Sequence, residues 1–202
     1  MVRGAVGLLV LLAAVGCSGS SSGGAGGKGG GGSGGGAAGT GGPSACGVAS
    51  GAPSTGATCN SITPAGPCVD ETFSTATPPA PAGGTFVAGT YNLVSDTFYG
   101  PPQTDFIPGQ PFRQTYVLTD VDATSFALDM GWASGDVVAR ARVTAALSGT
   151  TATFTQACPS VDEGVVWSGS AGFTATSSSI TLVWDKGSQI TEVTVFNQAS
   201  RP

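Results

Sequence analysis

The feature that most constrains the fold of this chain is a period of two in its apolar residues, which begins near Thr85 and continues almost to the C-terminus. Between Thr124 and Trp132, alternate positions carry Phe126, Leu128, Met130 and Trp132. This period places successive side chains on opposite faces of a β-strand. No segment of this region repeats its apolar residues at helical spacing over three turns, so the pattern predicts an all-β domain.

The alternation predicts about eight short strands. Breaks such as Ser148-Gly149 and Lys186-Gly187-Ser188 separate neighbouring strands by the length of a hairpin turn. The predicted strands lie near residues 85–98, 113–119, 124–132, 136–147, 151–158, 164–174, 179–185 and 190–197. Strands linked in this way favour one small antiparallel up-and-down barrel, because closure removes the exposed edges of a sheet.

Residues 1–16 have the pattern of a signal peptide. Arg3 supplies a positive charge, and the apolar run that follows is too short to span about 30 Å of hydrocarbon as a helix. The run ends in Leu12-Ala13-Ala14-Val15-Gly16-Cys17, which resembles the lipobox of bacterial lipoproteins, with Ala14 where Leu is usual. The resemblance implies that Cys17 is acylated and anchors the chain to a membrane; Ser18, where Asp is absent, implies the outer membrane. The alternative is an ordinary cleaved leader whose Cys17 enters a disulfide.

Three segments follow the leader. Residues 17–45 are more than half glycine and contain no apolar side chain larger than alanine after the cysteine, so we expect a disordered linker with a span of roughly 30 Å. Residues 46–84 contain cysteines and prolines, and we expect an irregular segment that ends in an extended connector. Residues 85–202 form the predicted barrel.

The cysteines separate into one for lipid and four for disulfides. Once Cys17 is assigned to acylation, Cys46, Cys59, Cys68 and Cys158 remain, an even number in an oxidising compartment. Two disulfides are expected, all three pairings stay open, and Cys158 is expected to tie the 46–84 segment to the barrel. Structural zinc is disfavoured because the gaps are long and the chain has no histidine.

Two resemblances can be named on particular motifs. Gly89-Thr90-Tyr91 is similar to the G-x-W opening of lipocalins and other calycin barrels, and Arg201 is similar to their closing arginine. The wider arrangement of lipobox, linker, PAPAGGTFVAGTYNLVSDTFYG, ACPS and EVTVFNQ resembles a family of uncharacterised bacterial lipoproteins. That resemblance implies an envelope location and a barrel-like fold, but no activity and no site residues.

The composition excludes several kinds of chemistry. With no histidine, the Ser-His-Asp triad and the histidine metal site are excluded. The carboxylate pairs Asp120 with Asp122 and Asp162 with Glu163 lie in predicted turns, where acidic residues usually serve turn geometry, and the first pair has too few oxygen ligands for a calcium loop. We therefore expect no enzyme, no metal and no cofactor. A net charge of −5 without a basic run makes nucleic acid an unlikely partner.

A small set of residues is left as candidates for ligand binding. Arg140 and Arg142 share one face of a predicted strand and would receive an acidic ligand if that face lined the barrel; otherwise they point to solvent. Four aromatic side chains are expected to pack in the core or at the rim of the barrel, and a role in stacking against a ligand is the alternative. These are Tyr91, Trp132, Trp167 and Trp184, together with the aromatic and proline-rich loop from Tyr99 to Phe112.

Two hypotheses about function follow. The barrel is a monomeric binding or interaction module of the cell envelope, with an envelope protein, a glycan or a small apolar molecule as its partner. Alternatively, it is a structural surface lipoprotein without a small-molecule site. An interior cavity of several hundred Å³ would favour an apolar ligand, whereas a filled interior would favour a structural role.

Overall fold

The computed structural model describes Cys46 and residues 54–56, 58–101, 109–135, 137–159 and 167–199. Several predictions fall outside these residues: the leader 1–16, Cys17, the linker 17–45, Asp162, Glu163, Arg201 and residues 102–108 of the long loop. Within the described part the regular structure is entirely β. No helix there is long and apolar enough to cross a membrane.

Eleven strands are present in the described residues. Three short strands come first: β1 (Ser54–Thr55), β2 (Glu71–Ser74) and β3 (Gly83–Gly84). Eight longer strands follow: β4 (Gly89–Tyr99), β5 (Phe112–Thr119), β6 (Ser125–Ser134), β7 (Val137–Ser148), β8 (Thr151–Cys158), β9 (Gly169–Ala175), β10 (Ser179–Gly187) and β11 (Ile190–Gln198).

The eight longer strands close into an antiparallel barrel. Each pairs with the next strand in the sequence, from β4 to β11. The ring closes because β11 pairs back along β4, with one bulge between Val195 and Phe196. The predicted up-and-down barrel is therefore confirmed. The β10–β11 hairpin has the two-residue turn Ser188-Gln189, where both residues have positive φ values of 51° and 66°, the backbone of a type I′ hairpin.

The first ring strand begins later than the alternation predicted. Residues 85–88 precede β4 instead of forming its start, and Phe86 of this segment is 4% exposed. The Phe86 ring lies 4.6 Å from Phe126 and 4.8 Å from Phe173, centre to centre. The segment thus covers one end of the barrel core, which we call the Phe86 end. A phenylalanine that covers the end of a barrel and one that belongs to a wall strand look the same in the sequence. The alternation of apolar residues therefore could not show that Phe86 lies outside the first ring strand.

The segment before the barrel is less irregular than predicted. Its three short strands each pair in parallel with a barrel strand where that strand has lost a ring neighbour: β1 with the start of β7, β2 with the end of β4, and β3 with the end of β9. The other edge of each of these stretches is already occupied by β6, β11 or β10. The segment therefore completes the barrel wall. Strands of two to four residues are too short to show alternation, so the sequence did not reveal them.

The barrel interior next to the Phe86 end is a dense apolar core. Tyr91, Leu93 and Phe196 are fully buried, and the ring of Tyr116 stacks on Phe196 at 4.0 Å. A cavity of only about 10 Å³ remains among these core side chains, which is roughly the volume of one water. Most of the remaining core side chains come from β5 to β10, and they include Leu118, Leu128, Met130, Val143, Phe154, Phe173, Ile180 and Leu182.

Candidate functional site

One disulfide closes a loop within the segment before the barrel, and the other joins that segment to β8. Cys46 pairs with Cys68, and Cys59 pairs with Cys158 at the end of β8, with Cα atoms 5.7 and 5.5 Å apart. The expectation of two disulfides is confirmed, as is the expectation that Cys158 ties the 46–84 segment to the barrel. These cysteines have a structural role. The choice among three pairings depended on which strands meet in space.

Arg140 and Arg142 do not line the barrel. Both lie on the outer face of β7, because Ala139, Ala141 and Val143 between and beside them are buried in the opposite direction. Arg140 Nε donates to the carbonyl oxygen of Ile62 at 2.8 Å and so holds the preceding segment against the wall. Arg140 is half-buried beneath this segment rather than fully open to solvent. The condition for an acidic-ligand site, that this face lines the barrel, is not met.

Arg142 is an exposed partner of Asp129 on β6. Its Nε and one terminal nitrogen donate to the two carboxylate oxygens at 2.6 and 2.8 Å. This bidentate pair raises the pKa of Arg142, the hydrogen bond being the main cause and the charge of Asp129 the second. The guanidinium is therefore used in the sheet rather than presented to an inner ligand.

Tyr91 is also a structural residue. Its side chain is fully buried, and its hydroxyl donates to the carbonyl oxygen of Val87 at 2.9 Å. Burial raises the pKa of this phenol. Tyr91 therefore fixes the segment around Phe86 across the barrel end, and a ligand has no access to its ring.

The three tryptophans, in contrast, meet at one end of the barrel. Trp132 lies near the end of β6, Trp184 near the end of β10, and Trp167 just before β9, which places all three opposite the Phe86 end. All three are partly exposed and pack against the core. We call this the tryptophan end. The Trp184 ring lies 5.2 Å from Phe154, and the Trp132 ring 6.1 Å from Phe112.

The side chains of Trp132 and Trp184 point into the barrel. Each is opposite a small residue on one neighbouring strand and a polar residue on the other. Trp132 is opposite Ala139 on one neighbouring strand and Gln114 on the other. Trp184 is likewise opposite Ala171 and Glu192. The barrel interior is therefore densely apolar towards the Phe86 end and mixed aromatic and polar at the tryptophan end.

Polar atoms without hydrogen-bond partners concentrate at the same end. Among the described residues, Asp96 Oδ1, Gln114 Nε2, Thr194 Oγ1 and Trp167 Nε1 are buried and have no hydrogen-bond partner, and the same holds for Arg113 Nε on the opposite face of β5 from Gln114. The side chains of Asp96, Gln114 and Thr194 are 2%, 4% and 6% exposed. Asp96 and Thr194 are directly opposite each other on β4 and β11. A buried polar atom without a partner costs about 1 to 3 kcal/mol, so a cluster of them requires an explanation.

Burial, together with the surrounding charges, keeps the carboxyl of Asp96 protonated. Burial is the main cause that raises its pKa to about 8, the charges of Glu192 and Glu71 add to the rise, and Lys186 opposes it. Lys186 forms an ion pair with Glu192. The carboxyl of Asp96 is therefore mostly neutral at neutral pH, and can donate a hydrogen bond as well as accept one.

Sequence reasoning selected the tryptophans but missed Asp96, Gln114 and Thr194. One signal was available, since Gln114 interrupts the apolar row formed by Phe112, Tyr116 and Leu118. Thr194 gave no such signal, because Val193 on the other face of β11 is also buried. Asp96 was hidden by the irregular register near Val195, which changes the face that each residue of β4 presents.

The Phe86 end carries an outer cleft of about 390 Å³. Thr85, Phe86, Val121, Asp122 and Leu147 line it, and Phe86 also lines the 10 Å³ cavity. Phe86 thus separates the cleft from the core. No cavity large enough for a fatty acid is present among the core side chains that surround the smaller cavity.

Asp122 serves its turn, as predicted for acidic residues at this position. Its carboxylate accepts hydrogen bonds from the backbone N–H groups of Thr124 and Ser125, both at 2.7 Å, and from their hydroxyls. These bonds lower the pKa of Asp122 to about 2. Across the described ranges, no three His, Cys, Asp or Glu side chains group as metal ligands.

Comparison with known proteins adds a fold neighbour and no family. No family model matches the chain, and no curated protein matches it. One solved structure that matches is a de novo designed fluorescence-activating β-barrel, with 12% sequence identity and a TM-score of 0.35. The match covers 56% of this chain and 94% of the designed one. At this identity and TM-score the similarity carries no functional argument, and the barrel is established by the strand pairing itself.

Proposed function

We propose that this chain is a lipid-anchored lipoprotein of the outer membrane that displays a rigid barrel as a binding or interaction module, with the tryptophan end as its binding side. The observation that carries the proposal is the concentration of unpartnered buried polar atoms and partly exposed tryptophans at one end of an otherwise filled barrel. Buried polar groups in proteins normally have partners, so this end has binding capacity that the fold does not use.

The lipobox-like sequence and the disulfides support the tether. An anchored domain is held through residue 46, which the Cys46–Cys68 disulfide ties to the 46–84 segment, and the Cys59–Cys158 disulfide joins that segment to the barrel. A covalently fastened attachment point resists fraying. Acylation through Cys17 with two or three chains would give stable membrane attachment, since a single chain binds only marginally.

Labelled palmitate and globomycin test the tether directly. We expect the label to enter the wild-type chain expressed in its native host or a Gram-negative host, and to be absent from a Cys17→Ser variant. Globomycin should cause the uncleaved form to accumulate. The proposed anchor is wrong if wild type and Cys17→Ser carry equal label and globomycin leaves processing unchanged.

The second candidate function is a structural surface lipoprotein with no small-molecule site. The filled core next to the Phe86 end favours it, because the cavity among the core side chains from Phe86 to Leu182 has a volume of about 10 Å³. The two candidates differ at the tryptophan end. A structural protein gains nothing from unpartnered buried polar atoms, so replacing them with apolar side chains should raise its stability without any loss of function.

A further inference from the structure

We infer that the tryptophan end binds a small, neutral, hydroxyl-rich molecule, of the size of a polyol or a monosaccharide, through Asp96, Gln114 and Thr194 with Trp132 and Trp184 beside it. The inference rests on the proposed binding function and assigns its ligand class. The three polar side chains lie on three adjacent strands, β5, β4 and β11, and are each more than nine-tenths buried.

The chemistry of the unpartnered atoms indicates hydroxyl groups. Gln114 Nε2 can only donate, whereas Thr194 Oγ1 donates and accepts. Asp96 does both while it is protonated. A hydroxyl group is also both a donor and an acceptor, so a molecule with several hydroxyls can satisfy all three side chains. An apolar ligand would leave each of them unpartnered at a cost of about 1 to 3 kcal/mol.

The charge balance favours a neutral ligand over an ionic one. Lys186 already pairs with Glu192, and Asp96 is neutral when its pKa is raised to about 8. An anion would face Glu192 and Glu71, which lie close enough to Asp96 to influence its pKa. A cation would have to compete with Lys186 for Glu192, and the carboxylate of Glu71 already accepts a hydrogen bond from the backbone N–H of Gly109 at 2.6 Å.

The aromatic rings and small residues supply the space. Trp132 and Trp184 each have an alanine opposite on a neighbouring strand, so a shift of either ring opens volume against Ala139 or Ala171. The cavity of about 10 Å³ adjoins this level through Tyr116, Phe154 and Leu182. Flat indole faces suit the C–H face of a sugar ring. Because both rings are partly exposed, a ligand reaches the site from solvent.

The chain contains three tryptophans, all of them at this end, so intrinsic fluorescence reports the site. Purified whole chain is titrated with glycerol, glucose and N-acetylglucosamine, and with tetramethylammonium as a cationic comparison. We expect at least one neutral probe to shift the tryptophan emission and to raise the Tm. The inference is overturned if no neutral probe binds, or if tetramethylammonium binds more tightly than all three.

Matched variants separate binding from stability. Thr194→Val and Gln114→Leu should weaken binding of the active probe by about tenfold while the Tm without probe stays equal or rises. Thr194→Ser keeps a hydroxyl and should retain binding. Thr181→Val, the same change on the outward face of β10, should bind like wild type. Equal binding by wild type, Thr194→Val and Gln114→Leu would show that these side chains bind no ligand.

The failure of this inference is distinguishable from failure of the tether. Probe binding by purified protein does not depend on acylation, and palmitate labelling does not depend on the barrel interior. A crystal structure grown with the active probe that contains only water between Asp96 and Gln114 would also overturn the inference. A sugar or polyol in that position would support it.

Discussion

At the residue scale, Asp96 is the side chain whose environment departs furthest from that of an ordinary carboxylate. It is 2% exposed, one of its oxygens has no partner, and Glu192 and Glu71 place negative charge nearby. Burial and these charges stabilise the protonated form, which raises its pKa from 3.8 to about 8. Its protonation is therefore linked to folding.

The linkage predicts that the protein is more stable at acidic than at mildly alkaline pH. Below the unfolded pKa of 3.8, Asp96 is protonated in both states; between 3.8 and about 8 the folded state holds a proton that the unfolded state releases. Asp96 therefore lowers stability by up to about 1.4 kcal/mol per pH unit as the pH rises through this window. Asp96→Asn should abolish this slope, as measured by urea unfolding at several pH values.

A matched control is Asp120→Asn in the exposed β5–β6 turn, where φ is 50° and Asn is tolerated. This variant should keep the wild-type slope. If Asp96→Asn also keeps it, the carboxyl of Asp96 does not hold its proton in the folded state.

Gly84 is a second residue whose identity the fold dictates. Its φ is +117°, and a Cβ built there would lie 2.1 Å from the carbonyl oxygen of Ala175. Gly84→Ala should therefore destabilise the domain by at least about 2 kcal/mol, because backbone must move apart. Gly149→Ala is the control, since φ is +59° but no atom lies within 4 Å of its Cβ. Thermal unfolding should show a cost of about 1 kcal/mol there; equal costs would contradict the steric explanation.

At the scale of elements, the segment before the barrel acts as part of the wall. Its short strands cover the edges that are left where neighbouring ring strands separate. Asn60 Nδ2 also donates to the carbonyl oxygens of Met130 and Ala141, at 3.2 and 2.8 Å. Gly131 allows this approach, because a Cβ there would lie 3.0 Å from Ile62. Covered edges reduce the risk of strand addition by another chain.

The two disulfides should contribute unequally to stability. The Cys59–Cys158 link closes a separation of 99 residues and the Cys46–Cys68 link one of 22. In the chain-entropy model these correspond to about 4.7 and roughly 3.3 kcal/mol. Urea unfolding should show a larger loss for the Cys59→Ala/Cys158→Ala double variant than for Cys46→Ala/Cys68→Ala. The reverse order would mean that strand contacts, not loop closure, determine the contribution.

At the scale of the whole molecule, the filled core argues against transport of an apolar ligand inside the barrel. Phe86 separates the outer cleft of about 390 Å³ from the inner cavity of about 10 Å³. A fluorescent fatty acid should therefore show no saturable binding to the wild-type protein. Phe86→Ala should join the two spaces and allow a small apolar probe to bind, at a cost of about 3 to 5 kcal/mol of stability.

Phe86→Leu provides the fallback if the alanine variant does not fold, because it retains most of the plug and should open less space. Saturable binding of the fatty acid by wild type, with the affinity unchanged in Phe86→Leu, would contradict a closed core.

The sequence by itself determined the class and topology of the fold. Period-two alternation and hairpin-length breaks are local signals, and they predicted the eight ring strands, the turns and the barrel. The cysteine count predicted two disulfides, because four cysteines in an oxidising compartment are expected to pair whatever the fold is. The acylation of Cys17 stays a prediction from its motif.

Only the tertiary structure decided the disulfide pairing, the outward face of Arg140, the plug formed by Phe86 and the cluster around Asp96. Each depends on which distant segments meet, and contacts across a ring of strands leave no trace in local composition. The interior polar side chains illustrate this most clearly: Asp96 and Thr194 are 98 positions apart in numbering, yet they are opposite each other because β11 returns to β4 to close the barrel.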